Sequence, residues 1–414
     1  MTDHKIDIGM FEIDKAILTD GTKKKQQGIG NLIAEISILE SIYSAYVAVD
    51  VMIYDTFALT DEFPIRGEET LEIHYTDYFS KTSVLNLHVY AIDAVAPDDK
   101  SDSQSYILHC LSADFMTNET TRIQQSFNGT ISDMVTTVSG MYLVSKQIDI
   151  EPTDGNRRFV IPSFTPVETL QFFSRKAQSQ SNKSSNYLFF ENREKVYFKT
   201  HEQILKDNEN LPERNTFYYG QTKLDVTERN KLMNHAQTLK PKNRFNTVNT
   251  VRRGAMVTEV FRIDPATRSF TNTVYDHGDE FGSYQHMDRK SKEYHSSDFR
   301  SKYLSKENNV VNTFLTFEES NEDQHNYSEI IPRRNSTSFY LGSNVMEIEI
   351  YGCNDIFAGS VINLVIPEMK YTNSEKNIHP NLSGRYLVES ISHLMAEKQW
   401  KMTLQLIKDS FVDG

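Results

Sequence analysis

Apolar and polar positions alternate with a period of two through most of the first 115 residues. The clearest runs are 45–54, 67–75, 84–90 and 106–111, rich in Val, Ile and Tyr. A strand sends successive side chains to opposite faces, so this alternation predicts half-buried strands, and these residue types suit a pleated surface. Asp98, Asp99, Lys100 and Ser101 mark a polar turn between the last two runs. Residues 1–115 are therefore predicted to form an antiparallel meander, closed as a small barrel or sandwich.

The period then changes. Ile131, Met134, Val135, Val138 and Met141 fall at helical spacing, with Thr130 or Ser132 as the cap. Asp154-Gly155 signals a turn. A second helix is predicted over 166–178, entered through Thr165, Pro166 and Glu168, with Leu170, Phe173, Ser174 and Ala177 on one face. Two short strands follow at 187–190 and 196–198, joined by the polar turn Asn192-Arg193-Glu194-Lys195. Residues 116–205 thus read as an α+β unit. Residues 206–335 read as a mixed segment. It starts with a polar stretch to about 250, contributes strands at 256–263 and 269–275, and holds an extended polar loop at 278–309.

The last 79 residues, 336–414, return to strands in an order that matches the start. Residues 345–351 correspond to 49–54, 359–366 to 67–75, 385–393 to 83–93, and 400–411 to 106–115. Four strands in the same order, twice, predict an internal duplication around the α+β insert.

Composition narrows the function. Lys and Arg number 44 against 57 Asp and Glu, a net charge of −13, which argues against a general nucleic-acid coat. Aromatics at 11%, with 17 Gly and 11 Pro, argue against disorder or low complexity. The start carries acids and no apolar core, unlike a secretory signal, and no run is long and apolar enough to span a membrane. Cys110 and Cys353 read as reduced core thiols. The sequons at Asn118, Asn128 and Asn335 then read as chance matches.

Candidate chemistry is sparse. Gly28-Ile29-Gly30 lacks a preceding buried strand and reads as a flexible loop, not a dinucleotide turn. Asp276, His277, Asp279 and Glu280, with His286 and His295, form the best metal-like group, yet their spacing matches no metal loop. His74 and His88 read as barrel-wall histidines and not as ligands. Lys23-Lys24-Lys25, Arg252-Arg253 and Arg333-Arg334 read as solvated basic runs, with an acidic protein partner as the alternative. No catalytic residue, cofactor or metal is expected.

Several stretches resemble the central hub proteins of contractile phage tail baseplates, a family related to the hub part of secretion-system spike proteins. The first barrel of that family is resembled by 36–41, 49–55 and 63–69, which include Pro64 and Gly67. Its second domain is resembled by 159–166, with Pro162 and Pro166, and by 186–191, with Phe189, Phe190 and Glu191. A later strand pair is resembled from Gly254 to Asp264. Its second barrel is resembled by 352–359, ending in Gly359, by 383–388, with Gly384, and by Lys408-Asp409-Ser410. These patches cover about half of the chain, and their order along it is the stronger signal.

The resemblance implies a mainly β fold: two tail-tube-like antiparallel barrels around smaller α+β domains. It implies a homotrimer whose six barrels make a pseudo-sixfold ring between a sixfold tail tube and a threefold spike. Its partners would be a spike protein on a separate chain, a tube or tube-initiator protein, and neighbouring wedge proteins. DNA would pass through the lumen without specific binding, and no part of the chain would insert in a membrane. The expected location is the virion, after synthesis in the host cytoplasm. A carbohydrate-binding tail or adhesion protein is the alternative from another class. A cell-wall hydrolase at the tail tip is the third.

Overall fold

A computed structural model describes residues 6–57, 59–93, 96–97, 103–220, 232–243, 246–288, 290–291, 313–317, 327–368 and 378–411. Its largest sheet runs, neighbour to neighbour, through Thr238–Asn243, Val345–Tyr351, Gln399–Ile407, Gly384–Ala396, Ile33–Ser41, Ala48–Asp55, Gln104–Ser112, Thr82–Ile92, Thr70–Thr76, Glu12–Thr19 and Gln26–Gly28. The fold class is the expected one, mainly antiparallel β with an α+β insert. The expected barrels take a more open form: the described pairings make one continuous path, not two closed rings. The path crosses from one β unit to the other where Gly384–Ala396 pairs with Ile33–Ser41, from Ser390 opposite Ser41 to Ala396 opposite Glu35. Gly384–Ala396 has 13 residues. That length lets its first part pair with Val361–Val365 while its second part crosses to the other unit.

The two units share a pairing order. In the first, Ala48–Asp55 pairs with Gln104–Ser112, that strand with Thr82–Ile92, and that in turn with Thr70–Thr76. In the second, Val345–Tyr351 pairs with Gln399–Ile407, then Gly384–Ala396, then Val361–Val365. All six pairings are antiparallel. A bulge interrupts the same pairing in each, between Val89 and Ala91 and between Val388 and Ser390, which leaves Tyr90 and Glu389 as the extra residues. A glycine in the left-handed region precedes the second strand of each unit, Gly67 at φ 89° and Gly359 at φ 88°. The inward faces merge in one core, reaching from Leu18 and Ile73 to Ile348 and Leu404.

The insert has its own core of Phe127, Val135, Leu170, Phe173, Phe189 and Phe198. Thr130 caps the helix Ile131–Tyr142 by accepting the Asp133 amide. Thr165 and Glu168 form a capping box on the helix Pro166–Ser174, with Pro166 in its first turn. Tyr187–Glu191 and Val196–Thr200 form the predicted hairpin, and the helix His201–Asp207 follows it.

Several expectations need correction. Gly28-Ile29-Gly30 is not a loose loop: Gln26–Gly28 pairs with Ile17, Leu18 and Thr19, and Ile29 is fully buried before a turn of 3-10 helix at Gly30–Leu32. Arg333-Arg334 is not a freely solvated run: on the helix Tyr327–Leu341, which the sequence pattern did not reveal, both are half-buried and donate to carbonyls, Arg333 to Lys183 and Asn182 and Arg334 to Arg175. The described part of 278–309 is not simply extended. The helix His277–Glu280 and a 3-10 turn at Phe281–Ser283 lead to Lys290–Ser291, which pairs with Ser410–Phe411. His295 and most of the rest of that stretch lie outside the described residues. Cys110 and Cys353 are buried free thiols. Among the described residues no helix is long and apolar enough to cross a membrane.

Candidate functional site

Ile36, Ile38 and Glu40 share the inward side of Ile33–Ser41, so the pleat itself drives Glu40 into the interior. It is fully buried. Its partner is Arg193, from the tight turn of the insert, whose Nε donates to Glu40 Oε1. Arg193 Nη1 reaches the Tyr75 hydroxyl at 2.8 Å and Asn354 Oδ1 at 3.1 Å, and Nη2 donates to the Ile356 carbonyl at 2.8 Å. The second β unit adds His393. The Trp400 indole can only donate, so His393 Nδ1 accepts it at 3.2 Å and the ring proton sits on Nε2, 3.2 Å from Glu40 Oε1. The imidazole is neutral. Tyr75 meets the Trp400 ring edge-on at 5.5 Å.

This network joins the first unit, the insert and the second unit through one buried ion pair. Burial pushes the Glu40 carboxyl up, but Arg193 and His393 outweigh it and hold it at about 2. Burial, then the Arg193 charge, push His393 down to about 4. A buried pair costs much desolvation and is tolerated only when its remaining donors are satisfied. Here the guanidinium reaches four separate groups.

A second polar cluster sits at the chain's end. Asp409 is buried and accepts His286 Nδ1 at 2.7 Å and the Met287 amide at 3.2 Å. His286 Nε2 faces the Phe281 carbonyl at 2.7 Å. A carboxylate and a carbonyl both only accept, so both ring nitrogens carry protons and His286 is an imidazolium. The Phe281 ring stacks on it at 3.6 Å. Asp288 donates its amide to Ser410 Oγ at 2.7 Å. Lys408, fully buried, donates to the Ser383 carbonyl at 2.8 Å and lies against the rings of Tyr386 and Phe411. Burial weighs against the charge on His286, yet Asp409 and the Phe281 carbonyl leave its pKa raised. Burial pushes Asp288 up to about 6 and Lys408 down to about 8.

On the other side of the seam, the outward face of the continuous sheet mixes Ser, Thr and charged side chains with the exposed Leu39, Met52, Tyr54 and Leu394. Ser392 lies opposite Leu39 and Thr403, and Leu394 lies opposite Ser37 and Lys401. Asp50 lies opposite Ser37 from the next strand. On this face Lys401 pairs with Glu349 at 3.4 Å and Asp50 with His109 at 2.7 Å, and Glu35 adds a further acid. Leu39 and Leu394 remain 52% and 45% exposed.

The residues singled out by sequence do not converge on one site. Phe190 and Gly359 are brought together: a Cβ on Gly359 would lie 2.8 Å from Phe190 Cζ. Glu191 is buried and bonded to Lys146 Nζ at 2.5 Å, and Phe189 packs in the insert core. Pro64 and Pro162 are exposed in connections, and Pro166 opens its helix. Gly67, Gly254 and Gly384 adopt positive φ at turns and a strand start. Asp409 anchors the second cluster. Among the described residues, no group of three or more His, Cys, Asp or Glu is placed to hold a metal. Asp276 instead caps a helix through the Gly278 amide. His74 faces Glu72 at 2.6 Å and His88 the Gly67 carbonyl at 3.0 Å, as sheet-wall groups.

A cavity of about 340 Å³ lies between the insert and residues 355–360. Its charged groups are mutually paired: Lys199 sits 2.6 Å from Asp149 and 2.7 Å from Asp207, and Arg214 sits 2.5 Å from Asp355. Sequence reasoning missed Glu40, Arg193 and His393. The available signal was a charged residue at core parity in Ile36-Ser37-Ile38-Leu39-Glu40, and a histidine at core parity between Ile391 and Met395.

No protein-family model and no curated protein matches the sequence. Solved structures do match. The chain is similar to a tail protein from Neisseria meningitidis MC58, with TM-score 0.57 and 9% identity over 97% of each chain. It is also similar to the 43 kDa tail protein of prophage MuSo2 from Shewanella oneidensis, with TM-score 0.51 and 11% identity over 96% of this chain and 98% of that one. The chain has the fold of these tail proteins over nearly all of its length.

Proposed function

We propose that the protein is the structural hub of a phage tail baseplate. The observation that carries this reading is the four-strand arrangement built twice within one sheet, in a chain with a tail-protein fold. Three such chains place six similar units around a threefold axis. That ring can seat a sixfold tube on one side and a threefold spike on the other. The partners are then a spike protein, the tail tube or its initiator, and the surrounding wedge proteins, with a role that is mechanical and not catalytic.

The seam face lines the central passage in this reading. It is the face that both units share, and its apolar and uncharged polar side chains, with the charge of Lys401 paired to Glu349, offer phosphates little to hold, so DNA crosses without sticking. The neighbours in the ring meet by packing, not by extending the sheet. The edge strand Thr238–Asn243 includes Pro241, which has no amide proton, and Lys240 and Lys242 are held at Glu347. Both features protect an edge against strand addition.

Electron cryo-microscopy of the assembled ring tests this. The expected image has six lobes related by threefold symmetry only, with Ser37, Leu39 and Ser392 facing inward. A ring of six chains, or a seam face turned outward, would overturn it.

A further inference from the structure

The fold leaves one strand edge bare. Val257–Asp264, Ser269–Asp276 and Thr313–Phe317 form a separate three-stranded sheet, with Val257–Asp264 in the middle and Ser269–Asp276 on the outside. His277 donates its amide to the Met256 carbonyl at 2.9 Å just beyond that antiparallel ladder, which sets its phase. Ladder bonds alternate along an antiparallel pair, so Thr271, Thr273 and Tyr275 turn their amides and carbonyls to the middle strand, and Phe270, Asn272 and Val274 turn theirs outward. Among the described residues no strand takes these up. Ser269 to Thr273 are all exposed, Phe270 at 61%. Neither a charge nor a proline interrupts 269–275. The ends of the largest sheet are guarded as sheet edges usually are, by Pro241 and two lysines in Thr238–Asn243 and by a length of only three residues in Gln26–Gly28. The outer strand Ser269–Asp276 has neither protection.

We propose that Ser269–Asp276 is a docking edge that takes an extended segment of a partner protein as an added strand. The outward main-chain groups of Phe270, Asn272 and Val274 bond the backbone of that segment, and alternate side chains set its identity. Phe261 and Phe270 stack at 5.2 Å on one face of the sheet, which Val274 shares. Every second side chain of an added strand lies beside this apolar shelf, and the others lie beside Ser269, Thr271 and Thr273. The partner segment is therefore uncharged, with apolar side chains at alternate positions. It belongs to another protein and not to a second copy. Joining this edge to its own copy makes a two-fold pair, whereas the hub reading, on which this one choice rests, joins chains in threes.

The test uses the full chain and a fluorescein-labelled peptide of alternating Thr and Val, followed by anisotropy, with hydrogen–deuterium exchange to locate the contact. Saturable binding is expected, with slowed exchange within 269–275. The same peptide N-methylated throughout keeps its side chains and loses every main-chain donor, so it should bind about tenfold more weakly or worse. Asn272→Pro removes an outward donor without breaking the ladder, and should weaken binding about fivefold or more. Phe270→Lys sets a charge on the edge and should also weaken binding. It carries the test should the proline variant fail to fold. Absence of saturable binding, equal binding of the N-methylated peptide, or protection placed outside 269–275 would overturn the proposal. So would a dimer of the chain alone that Asn272→Pro dissolves. A trimer that binds no peptide overturns this proposal and leaves the hub reading standing, and a monomer that binds it does the reverse.

Discussion

Val89 and Val388 hold the same position in the two halves of the chain. Each donates its amide at 2.9 Å to the carbonyl that precedes the neighbouring strand, Glu69 for Val89 and Ser360 for Val388, and each is followed by the bulged residue of its strand. A bulge bends its strand and raises the local twist. The two units therefore curve at matching places, as the proposed ring would require of successive members.

The glycines before those strands separate shared from local constraints. Gly67→Ala meets only the Tyr90 carbonyl at 3.6 Å, so its cost is that of a left-handed backbone, about 1 kcal/mol. Gly359→Ala adds a Cβ 2.8 Å from Phe190 Cζ, and its loss should reach about 2–3 kcal/mol. Urea unfolding of the two variants checks the order.

Removing one member of the buried ion pair should be severe. Arg193→Met leaves the Glu40 carboxylate buried without its cation, and Glu40→Gln does the reverse. Each should cost about 3–5 kcal/mol, while the double variant should lose less than the sum of the two. A double-mutant cycle by chemical denaturation reads the coupling.

Stability should fall in mild acid. The His393 pKa lies near 4 in the folded chain against an ordinary 6.5. The unfolded chain therefore takes up the proton first as pH drops. Its contribution is complete above about 6.5 and is lost progressively down to about 4, on the order of 3 kcal/mol in all. The Glu40 contribution, with its pKa lowered from 4.5 to about 2, is lost at lower pH. Unfolding free energy followed from neutral to acid pH should show the decline, and His393→Gln should flatten its upper part.

The chain-end cluster should respond in the opposite direction. The pKa of His286 is raised, so its contribution is full below the ordinary 6.5 and is lost as pH rises through the raised value. Amide exchange at Met287 and Asp288, which donate to Asp409 and Ser410, should speed up in mild alkali beyond the base-catalysed trend. His286→Gln should remove the excess.

Much of the sheet was legible because a half-buried strand writes its parity into the sequence. Ala48–Asp55, Thr70–Thr76 and Val345–Tyr351 alternate cleanly and lie where the alternation put them. The helix Tyr327–Leu341 was hidden by Pro332 within it and by polar residues, such as Arg334 and Asn335, whose partners lie on distant segments. Arg193 read as a turn residue because its partners Glu40, Tyr75 and Asn354 are more than a hundred residues away in sequence. No local pattern encodes such a meeting. The fusion of the two β units was hidden for the same reason: Ser390–Ala396 and Glu35–Ser41 each read as ordinary strands, and only the pairing makes them a seam.

The most direct test of the hub account is the native mass of the protein, alone and with a candidate spike. One chain weighs 47.8 kDa. The account predicts a species of three chains, formed alone or on addition of the spike. A chain that stays monomeric in both conditions, or closes as six copies, would contradict it.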